Sequence, residues 1–290
     1  MSDYCRLNLM PNKFTLESWI VLNPIEKRIK DKIERVGTPL RDWDIQINYG
    51  IKTGFNEAFI INGKTKDALI EKSAKNAEII RPILRGRDIK RYKADFADRW
   101  LIATFPSKRY NIDDYPDIKE YLFSFGYDRL KQTGDIGARK KTQNQWFETQ
   151  DSISYWDDFS KQKIVWGEIS DTSKFAFDLS GYYPEATSFF MTGKHLKYLL
   201  GILNSKLGEW LFNQIGTTTG VGTNRWKKYT LEMLLVKVPN QLEEAGITIL
   251  IDKIICNMNS SHINEIEELN TLIYSLYDLS EDEIDYIKNI

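Results

Sequence analysis

Short runs of β-branched and aromatic residues alternate with turn residues through the middle of the chain, and this pattern restricts the fold more than any other feature. The runs lie at 45–47, 58–61, 100–105, 163–166 and 174–177. Runs of this length and composition predict strands. Short helices are predicted between them at 66–75 and 116–125, the second opening with Pro116, a residue favoured in the first helical turn.

Helical periodicity flanks these strands on both sides. Asn23, Pro24 and Glu26 have the composition of a capped helix start and predict a helix over 24–36, which Gly37 ends. Leucines at three- and four-residue spacing predict a longer helix from about 194 to 214. After a predicted strand at 234–238, helices are expected over 247–258 and 263–276, followed by a short helix capped by Ser280 with Glu283.

The pattern therefore predicts an α+β protein, with a mixed β-rich domain that contains interspersed helices and is followed by a C-terminal helical region. At 290 residues the chain is long enough for more than one hydrophobic core. We expect three parts: a helical lead-in over 1–40, the α+β domain over 41–240 and an acidic helical region over 241–290.

Opposite charges along the chain nearly cancel. The whole sequence has 40 basic and 41 acidic side chains, a net charge of −1. Residues 241–290 contain eleven acidic and two basic side chains, a net charge of −9, so the remainder carries +8. This division excludes a protein that coats DNA through overall positive charge, but it is compatible with a basic domain that binds DNA locally.

Several function classes have too few residues of the required type. Cys5 and Cys256 lie far apart and form no Cys-x-x-Cys motif, so neither a disulfide framework nor a structural zinc site is predicted. With only His195 and His262, the sequence has almost no residues from which to build histidine-based triads or multi-histidine metal sites, so most hydrolase classes fit it poorly. No apolar run approaches the ~18 residues of a membrane span and no export signal is visible. We expect a cytoplasmic protein with no cofactor and no metal bound to this chain.

The first basic cluster, at 81–93, contains six basic residues and one acidic residue. Such clusters neutralise DNA phosphates, and the alternative is a solvated turn. The side chains predicted to hold the DNA backbone are Arg85, Arg87, Lys90 and Arg91.

The second cluster spans 129–146 and combines glycines with basic and amide side chains. Arginine and lysine pair with guanine, and asparagine and glutamine pair with adenine. A mobile loop that presents base-contacting side chains is predicted, and an ordinary polar loop is the alternative. The predicted base contacts are Arg139, Lys140, Lys141, Gln143 and Asn144.

The third cluster spans 217–228, where hydroxyl residues and glycines precede a basic segment. Exposed backbone amides in such a loop can bind phosphates, and the Gly-Lys-[Ser/Thr] ending of a nucleotide-binding loop is missing. The predicted DNA contacts are Asn224, Arg225, Lys227 and Lys228. Most tryptophans are expected in the core, but Trp146 and Trp226 adjoin basic loops, and we expect them near the interface.

Candidate catalytic residues are few. Residues 23–26 match the Asn-Pro-Pro-aromatic motif of amino-methyltransferases only in part and are interpreted as a helix cap. No glycine-rich strand-turn-helix unit for S-adenosylmethionine precedes them. Acidic pairs occur at 113–114 and 157–158 without a nuclease-like Glu-x-Lys. Glu168, at a predicted strand end, is either an acceptor for cytosine or a buried or capping residue.

An ordered series of segments resembles a known family. The segments are 23–26, 37–40, 50–61, 82–92, 146–148, 163–166, 183–187, 199–205, 225–228 and 276–284. In this order they are similar to the TaqI-like C-terminal specificity domain of type IIG restriction-modification enzymes and related adenine-specific DNA methyltransferases. The resemblance extends from about Trp19 over nearly the whole chain.

The resemblance implies a domain that recognises a short duplex site and positions an adenine for N6 methylation by a separate catalytic domain. Because the cofactor loop and the methyltransferase motif are missing, the chain alone is expected to be non-catalytic, as a truncated piece or a split subunit. S-adenosylmethionine and Mg²⁺ are implied only for the methyltransferase and nuclease domains. The implied partners are double-stranded DNA and such a domain or subunit, and the C-terminal helices are expected to pack against that domain or against a second copy.

Two alternatives from other classes remain at this point. One is a stand-alone Mg²⁺-dependent nuclease that uses Asp157, Asp158 and Glu168. The other is a protein–protein scaffold built on the acidic helices.

Overall fold

The computed structural model describes residues 22–218, 223–257 and 262–289, and these residues form two compact units. The first, which we call the helical unit, comprises the described residues of 1–44, 197–217 and 229–290. The second, which we call the sheet unit, comprises those of 45–196 and 218–228. This grouping differs from the expected boundaries at 40 and 240, because a pair of helices at 196–215 and the strand at 235–237 belong with the C-terminal helices.

The fold contains both expected element types, and the α+β prediction is confirmed. The helices are α1 (Pro24–Val36), α2 (Asn56–Phe59), α3 (Gly63–Lys72), α4 (Pro116–Phe123), α5 (Tyr127–Leu130), α6 (Leu196–Asn204), α7 (Lys206–Ile215), α8 (Lys228–Glu232), α9 (Gln241–Cys256), α10 (Ile263–Leu276) and α11 (Glu281–Lys288). The strands are β1 (Gly37–Pro39), β2 (Ile45–Tyr49), β3 (Ile60–Asn62), β4 (Ile80–Leu84), β5 (Arg99–Ile102), β6 (Lys163–Gly167), β7 (Ile169–Ser170), β8 (Phe175–Asp178), β9 (Tyr183–Pro184), β10 (Ser188–Gly193), β11 (Thr217–Thr218), β12 (Asn224–Arg225) and β13 (Leu235–Lys237).

The helical unit is organised by capped helices. Helix α1 has the predicted bounds because the Asn23 side chain accepts hydrogen bonds from the amides of Ile25 and Glu26, while Glu26 accepts from the Asn23 amide. Helix α11 packs on α1, where the buried Glu283 carboxylate accepts a hydrogen bond from Lys32 at 2.7 Å. Strand β1 pairs antiparallel with β13 in the same unit.

The long helix predicted over 194–214 is two helices, α6 and α7. The Ser205 hydroxyl donates to the Ile202 carbonyl and accepts from the Gly208 amide, so Ser205 caps a new helix. A side chain at 208 would bring its Cβ to 2.0 Å from the Ile202 carbonyl oxygen, and glycine is therefore required at this break. The leucine periodicity continues across the break, which is why it predicted one element.

The sheet unit contains two four-stranded sheets. One has the order β2-β10-β6-β8 and is antiparallel throughout, and the other has the order β3-β5-β4-β9, in which β4 and β9 are parallel. A common core contains aromatic side chains from both sheets. The ring centroid of Phe159 lies 4.4 Å from that of Tyr183 and 5.0 Å from that of Phe190. Aromatic pairs at such separations are favourable beyond their buried area.

A buried ion pair joins the ends of β6 and β8. Lys163 and Asp178 are cross-strand partners, both side chains are fully buried, and their charged atoms lie 2.6 Å apart. The Lys163 amine also donates to the Phe159 carbonyl, and the Asp178 carboxylate accepts from the amides of Ser180 and Tyr182. All of these groups need hydrogen-bond partners because they lie away from water.

Candidate nucleic-acid interface

A cleft of about 530 Å³ opens in the sheet unit beside two facing glycines, and we call it the glycine cleft. Gly86 begins the helical turn after β4, and Gly167 ends β6. A Cβ added at Gly167 would lie 3.4 Å from the Gly86 Cα atom. The two backbones therefore approach closely, and neither residue places a side chain in the cleft. The lining residues are Gly86, Arg87, Ile89, Lys90, Gly167, Glu168, Ile169, Ser170, Asp171, Lys174, Thr187 and Thr223.

The first basic cluster forms one wall of the glycine cleft, but its four predicted cations do not have the same role. Arg87 and Lys90 are exposed, and neither forms an ion pair within the described part of the chain, although the Lys90 amine donates a hydrogen bond to the Arg87 carbonyl at 3.0 Å. Arg85 instead binds Asp88 through two hydrogen bonds of 2.7 and 2.8 Å. Arg91 donates to the backbone and hydroxyl oxygens of Ser173. Arg87 and Lys90 are thus the cations available to a ligand.

The Arg85–Asp88 pair explains how Arg87 is presented. It closes a single helical turn over Gly86–Asp88, in which the Asp88 amide donates to the Arg85 carbonyl at 2.9 Å. The hydrogen bond that the Arg85 side chain donates to the Asp88 carboxylate is the main cause that raises the pKa of Arg85. A bidentate arginine–carboxylate pair fixes geometry better than a single contact. The Arg87 side chain, which lies within this turn, is exposed to solvent.

The third basic cluster borders the same cleft. Strand β12 pairs with β7, with Arg225 opposite Ile169. The Arg225 guanidinium lies 3.7 Å from the Glu168 carboxylate, which lines the cleft. The Glu168 carboxylate, an acceptor, and the Arg225 guanidinium, a donor, therefore lie side by side at the edge of the cleft. This combination matches the hydrogen-bonding groups of a C·G base pair. Asn224 and Lys227 are half-buried.

Two expectations for this segment change. Trp226 is only 1% exposed, and its carbonyl accepts a hydrogen bond from the buried Trp166 ring nitrogen, so it belongs to the core and not to an exposed surface. The Lys228 amine donates to the Ile47 carbonyl at 2.8 Å. Residues 219–222 of the predicted phosphate-binding loop lie outside the described residues.

The second basic cluster belongs to an irregular segment, and we call residues 131–148 the Arg139 loop. Lys140, Lys141 and Gln143 are exposed, as a base-contacting role requires. Arg139 is only 2% exposed and binds four backbone carbonyls, so it cannot reach a DNA base from this position. The prediction that Arg139 contacts bases is therefore corrected.

Asn144 and Trp146 occupy intermediate positions. The Asn144 amide nitrogen donates to the carbonyls of Thr149 and Gln150, so the donor half of an adenine contact is engaged within the protein. Trp146 is half-buried and packs edge-on against Phe123 and Phe147. Neither residue presents its full side chain to a ligand in this conformation.

Sequence reasoning missed other polar residues of the glycine cleft. Ser170 lines the cleft from the end of β7 and Lys174 from the polar segment before β8, where the Lys174 amine lies 2.5 Å from the Asp171 carboxylate, and Thr187 lines it from the residue before β10. Short polar segments of this kind adjoin many strands, so no local pattern distinguishes these residues. Only the pairing of distant strands brings these residues to one place.

The acidic residues of the nuclease hypothesis do not come together. Asp158 binds Asn48 and Lys161, whereas Glu168 lies beside Arg225. Among residues 22–218, 223–257 and 262–289, no group of three or more histidine, cysteine or acidic side chains is placed to hold a metal ion. The nuclease alternative therefore has no support.

No helix in the described ranges is long and apolar enough to cross a membrane.

The model of the TaqI-like C-terminal specificity domain matches residues 81–236, which are more than half of the chain and include the glycine cleft and the Arg139 loop. The chain belongs to this family. Over 280 residues the TaqI-like chain is 22% identical to the type II methyltransferase M.BstVI of Geobacillus stearothermophilus, and the match covers 94% of this chain and 46% of the relative. The chain thus spans about half the length of that curated relative.

Two solved structures resemble the TaqI-like chain in fold. The type IIL restriction-modification enzyme MmeI, solved in complex with DNA, matches with a TM-score of 0.56 and 12% identity, over 86% of this chain and 35% of that enzyme. The type IIG restriction endonuclease BpuSI matches with a TM-score of 0.54 and 13% identity, over 88% and 32%. At these identities the likeness concerns the fold alone. The family and fold predicted from the sequence are confirmed.

Proposed function

We propose that the sheet unit recognises a short double-stranded DNA sequence on behalf of a site-specific adenine-N6 DNA methyltransferase of a type II restriction-modification system. The observation that carries the proposal is the glycine cleft, where the exposed cations Arg87 and Lys90, neither of which is in an ion pair within the described residues, lie beside the Glu168–Arg225 pair. The sheet unit has 27 basic and 21 acidic residues, a net charge of +6, which favours a polyanionic ligand.

The proposed division of roles follows from exposure. Arg87 and Lys90 bind DNA phosphates, because both are exposed cations that line the glycine cleft and neither is in an ion pair within the described residues. Lys140, Lys141 and Gln143 contact base edges, since their side chains are exposed and carry the donors and acceptors of direct recognition. Methyl transfer and the binding of S-adenosylmethionine belong to a separate catalytic domain or subunit, and no residue of this chain is assigned to them.

A salt titration tests the proposal. Binding of the 290-residue chain to labelled duplex DNA is measured by fluorescence anisotropy between 50 and 200 mM KCl, conditions in which each phosphate contact contributes about 0.9 to the slope of log affinity against log salt. The preferred duplex is obtained by selection from a random pool. Replacing Arg87 and Lys90 by alanine is expected to lower affinity for all duplexes alike and to reduce the slope by about 2.

Matched variants separate the two roles. Replacing Lys140 and Lys141 by alanine is expected to reduce the preference for the selected duplex over a random one. The control replaces Lys64 and Lys72, exposed lysines of α3 in the same unit, and removes the same charge without effect on either quantity. Absence of binding at 50 mM KCl, or an equal loss of affinity in the control, would refute the proposal.

A further inference from the structure

The Arg139 loop belongs to a stretch, residues 131–155, that contains neither helix nor strand. Loops of this length without regular structure are uncommon in compact domains and are often functional. Because such a segment has no ladder of backbone hydrogen bonds, side chains must satisfy its carbonyls and fix its shape. The residues that do so determine where Lys140, Lys141 and Gln143 point.

Arg139 satisfies four carbonyls from separate parts of the chain. Its Nε atom donates to Leu130 at 2.7 Å, one terminal nitrogen donates to Thr53 at 2.8 Å and Glu148 at 2.7 Å, and the other donates to Trp146 at 2.6 Å. Four of the five guanidinium hydrogens are thereby used. The side chain ties the start and the end of the loop to the segment before α2.

The surroundings of the Arg139 side chain fit this arrangement. Its guanidinium carbon lies 4.9 Å from the centre of the Phe59 ring, within the range of a cation–π contact. Gly54 adopts a positive φ of 76°, and a Cβ at this position would lie 3.1 Å from the Arg139 Cδ atom. Burial lowers the pKa of Arg139 to about 10, so the side chain stays charged at neutral pH.

Further hydrogen bonds show that the loop closes around this side chain. The Arg139 amide donates to Lys131 and its carbonyl accepts from Gly134, while the Thr142 amide donates to Gln132. The Gln132 side chain adds donors to the carbonyls of Gln145 and Glu148. The exposed Lys140 and Lys141 therefore follow immediately after the most firmly held residue of the loop.

We propose that Arg139 is a positioning residue, which holds the loop in the conformation that presents Lys140, Lys141 and Gln143 to DNA bases and so controls sequence discrimination, not backbone affinity. The inference rests on the proposed function. It departs from a direct contact role, because Arg139 acts through its neighbours and touches no DNA.

The test uses the full chain with Arg139→Lys, which keeps the charge but has fewer donors and no planar fork. The matched control is Arg129→Lys, since Arg129 is exposed and donates to the carbonyl of Gly137 in the same loop. Expected for Arg139→Lys is a fall of about tenfold or more in the ratio of affinities for selected and random duplexes, the size of one good base contact. Affinity for the random duplex and its salt slope stay unchanged.

Hydrogen exchange provides a readout of loop conformation that does not depend on DNA. The amides of Gly134, Arg139 and Thr142 are expected to exchange faster in the lysine variant, while those of β6 and β10 keep their protection. In an Arg139→Ala chain, guanidinium at about 20 mM is expected to restore discrimination, and KCl of equal ionic strength is not.

The outcomes separate this inference from the proposed function. If the unmodified chain does not bind DNA, the proposed function fails, and so does the positioning role that rests on it. If the unmodified chain discriminates and Arg139→Lys discriminates equally well, the positioning role alone is overturned. A variant that loses random-duplex affinity and β-strand protection together would show a role in global stability and would also overturn it.

Discussion

The buried Lys163–Asp178 pair leads to a sharp prediction about the stability of the sheet unit. Both side chains are fully buried, so replacing either one leaves an uncompensated charge in the interior. We consider Lys163→Met, Asp178→Asn and the double variant. Each single variant removes the 2.6 Å contact but keeps the other partner in place.

The size of the expected loss of stability follows from the hydrogen-bond partners that each buried charge keeps. After Lys163→Met, the Asp178 carboxylate keeps its hydrogen bonds from the amides of Ser180 and Tyr182 but loses its cation. After Asp178→Asn, the Lys163 amine keeps its hydrogen bond to the Phe159 carbonyl but faces a neutral amide in place of a carboxylate. Breaking a buried pair in this way costs about 3–5 kcal/mol. The double variant has no charge left at these two positions, and its cost is expected to fall about 2–3 kcal/mol below the sum of the singles.

Urea unfolding followed by tryptophan fluorescence measures these free energies, and Trp166 in β6 lies close to the change. For a unit of this size, each kcal/mol corresponds to about 2–4 °C in Tm. Costs of less than 1 kcal/mol in both single variants, or strict additivity in the double variant, would refute the reasoning.

A pH series adds a second check on the same pair. Burial lowers the pKa of Lys163, and Asp178 opposes this shift. Without Asp178, the pKa of Lys163 in the folded state falls still further below its value in the unfolded chain. The stability of Asp178→Asn should therefore rise relative to the unmodified chain as pH increases toward 10, whereas Lys163→Met should show no such recovery.

Two further predictions concern other parts of the fold. Burial alone would raise the pKa of Glu283, but hydrogen bonds from Lys32 and from the cap of α11 lower it below 4.5, so its stabilising contribution is complete above that pH. The stability difference between the unmodified chain and Glu283→Gln, measured by thermal denaturation, should therefore shrink as pH falls from 7 to 3, and a constant difference would contradict this assignment. Gly50→Ala should destabilise the chain by about 1–3 kcal/mol in urea unfolding, since the new Cβ would lie 2.0 Å from the Glu185 carbonyl oxygen. In the control Gly246→Ala, within α9, the new Cβ would lie at an ordinary contact distance of 3.6 Å from the Leu272 side chain of α10, and this variant should stabilise by about 0.5–1 kcal/mol.

Local chemistry made the helices of the chain predictable. The start of α1 and of α11 depends on side chains within three residues, Asn23 with Glu26 and Ser280 with Glu283, and both capping boxes are present. The strands β2, β6 and β8 follow from continuous β-forming residues and were also predicted, to within one or two residues at most ends. The strand predicted at 58–61 is observed only in part, because its first two residues belong to α2.

The candidate site was less predictable because it depends on distant segments. A basic residue in a polar loop has the same sequence signature whether it is exposed, as Lys140 is, or buried, as Arg139 is. The difference arises from carbonyls that surround the Arg139 guanidinium, those of Leu130 and Glu148 on either side of it in the sequence and that of Thr53 from a distant segment. The glycine cleft likewise exists only because β6 and the turn after β4 meet.

The discontinuous composition of the helical unit has a consequence for how specificity changes. In the sequence, the sheet unit is inserted into the helical unit. The first inserted segment comprises residues 45–196, and the second, short one comprises the described residues of 218–228. Strand β1 precedes the first inserted segment in the sequence, and its partner β13 follows the second. Both strands belong to the helical unit. A recombination event that replaces 45–196 therefore exchanges the glycine cleft wall and the Arg139 loop as one cassette, while the hydrophobic core of the helical framework keeps its own sequence.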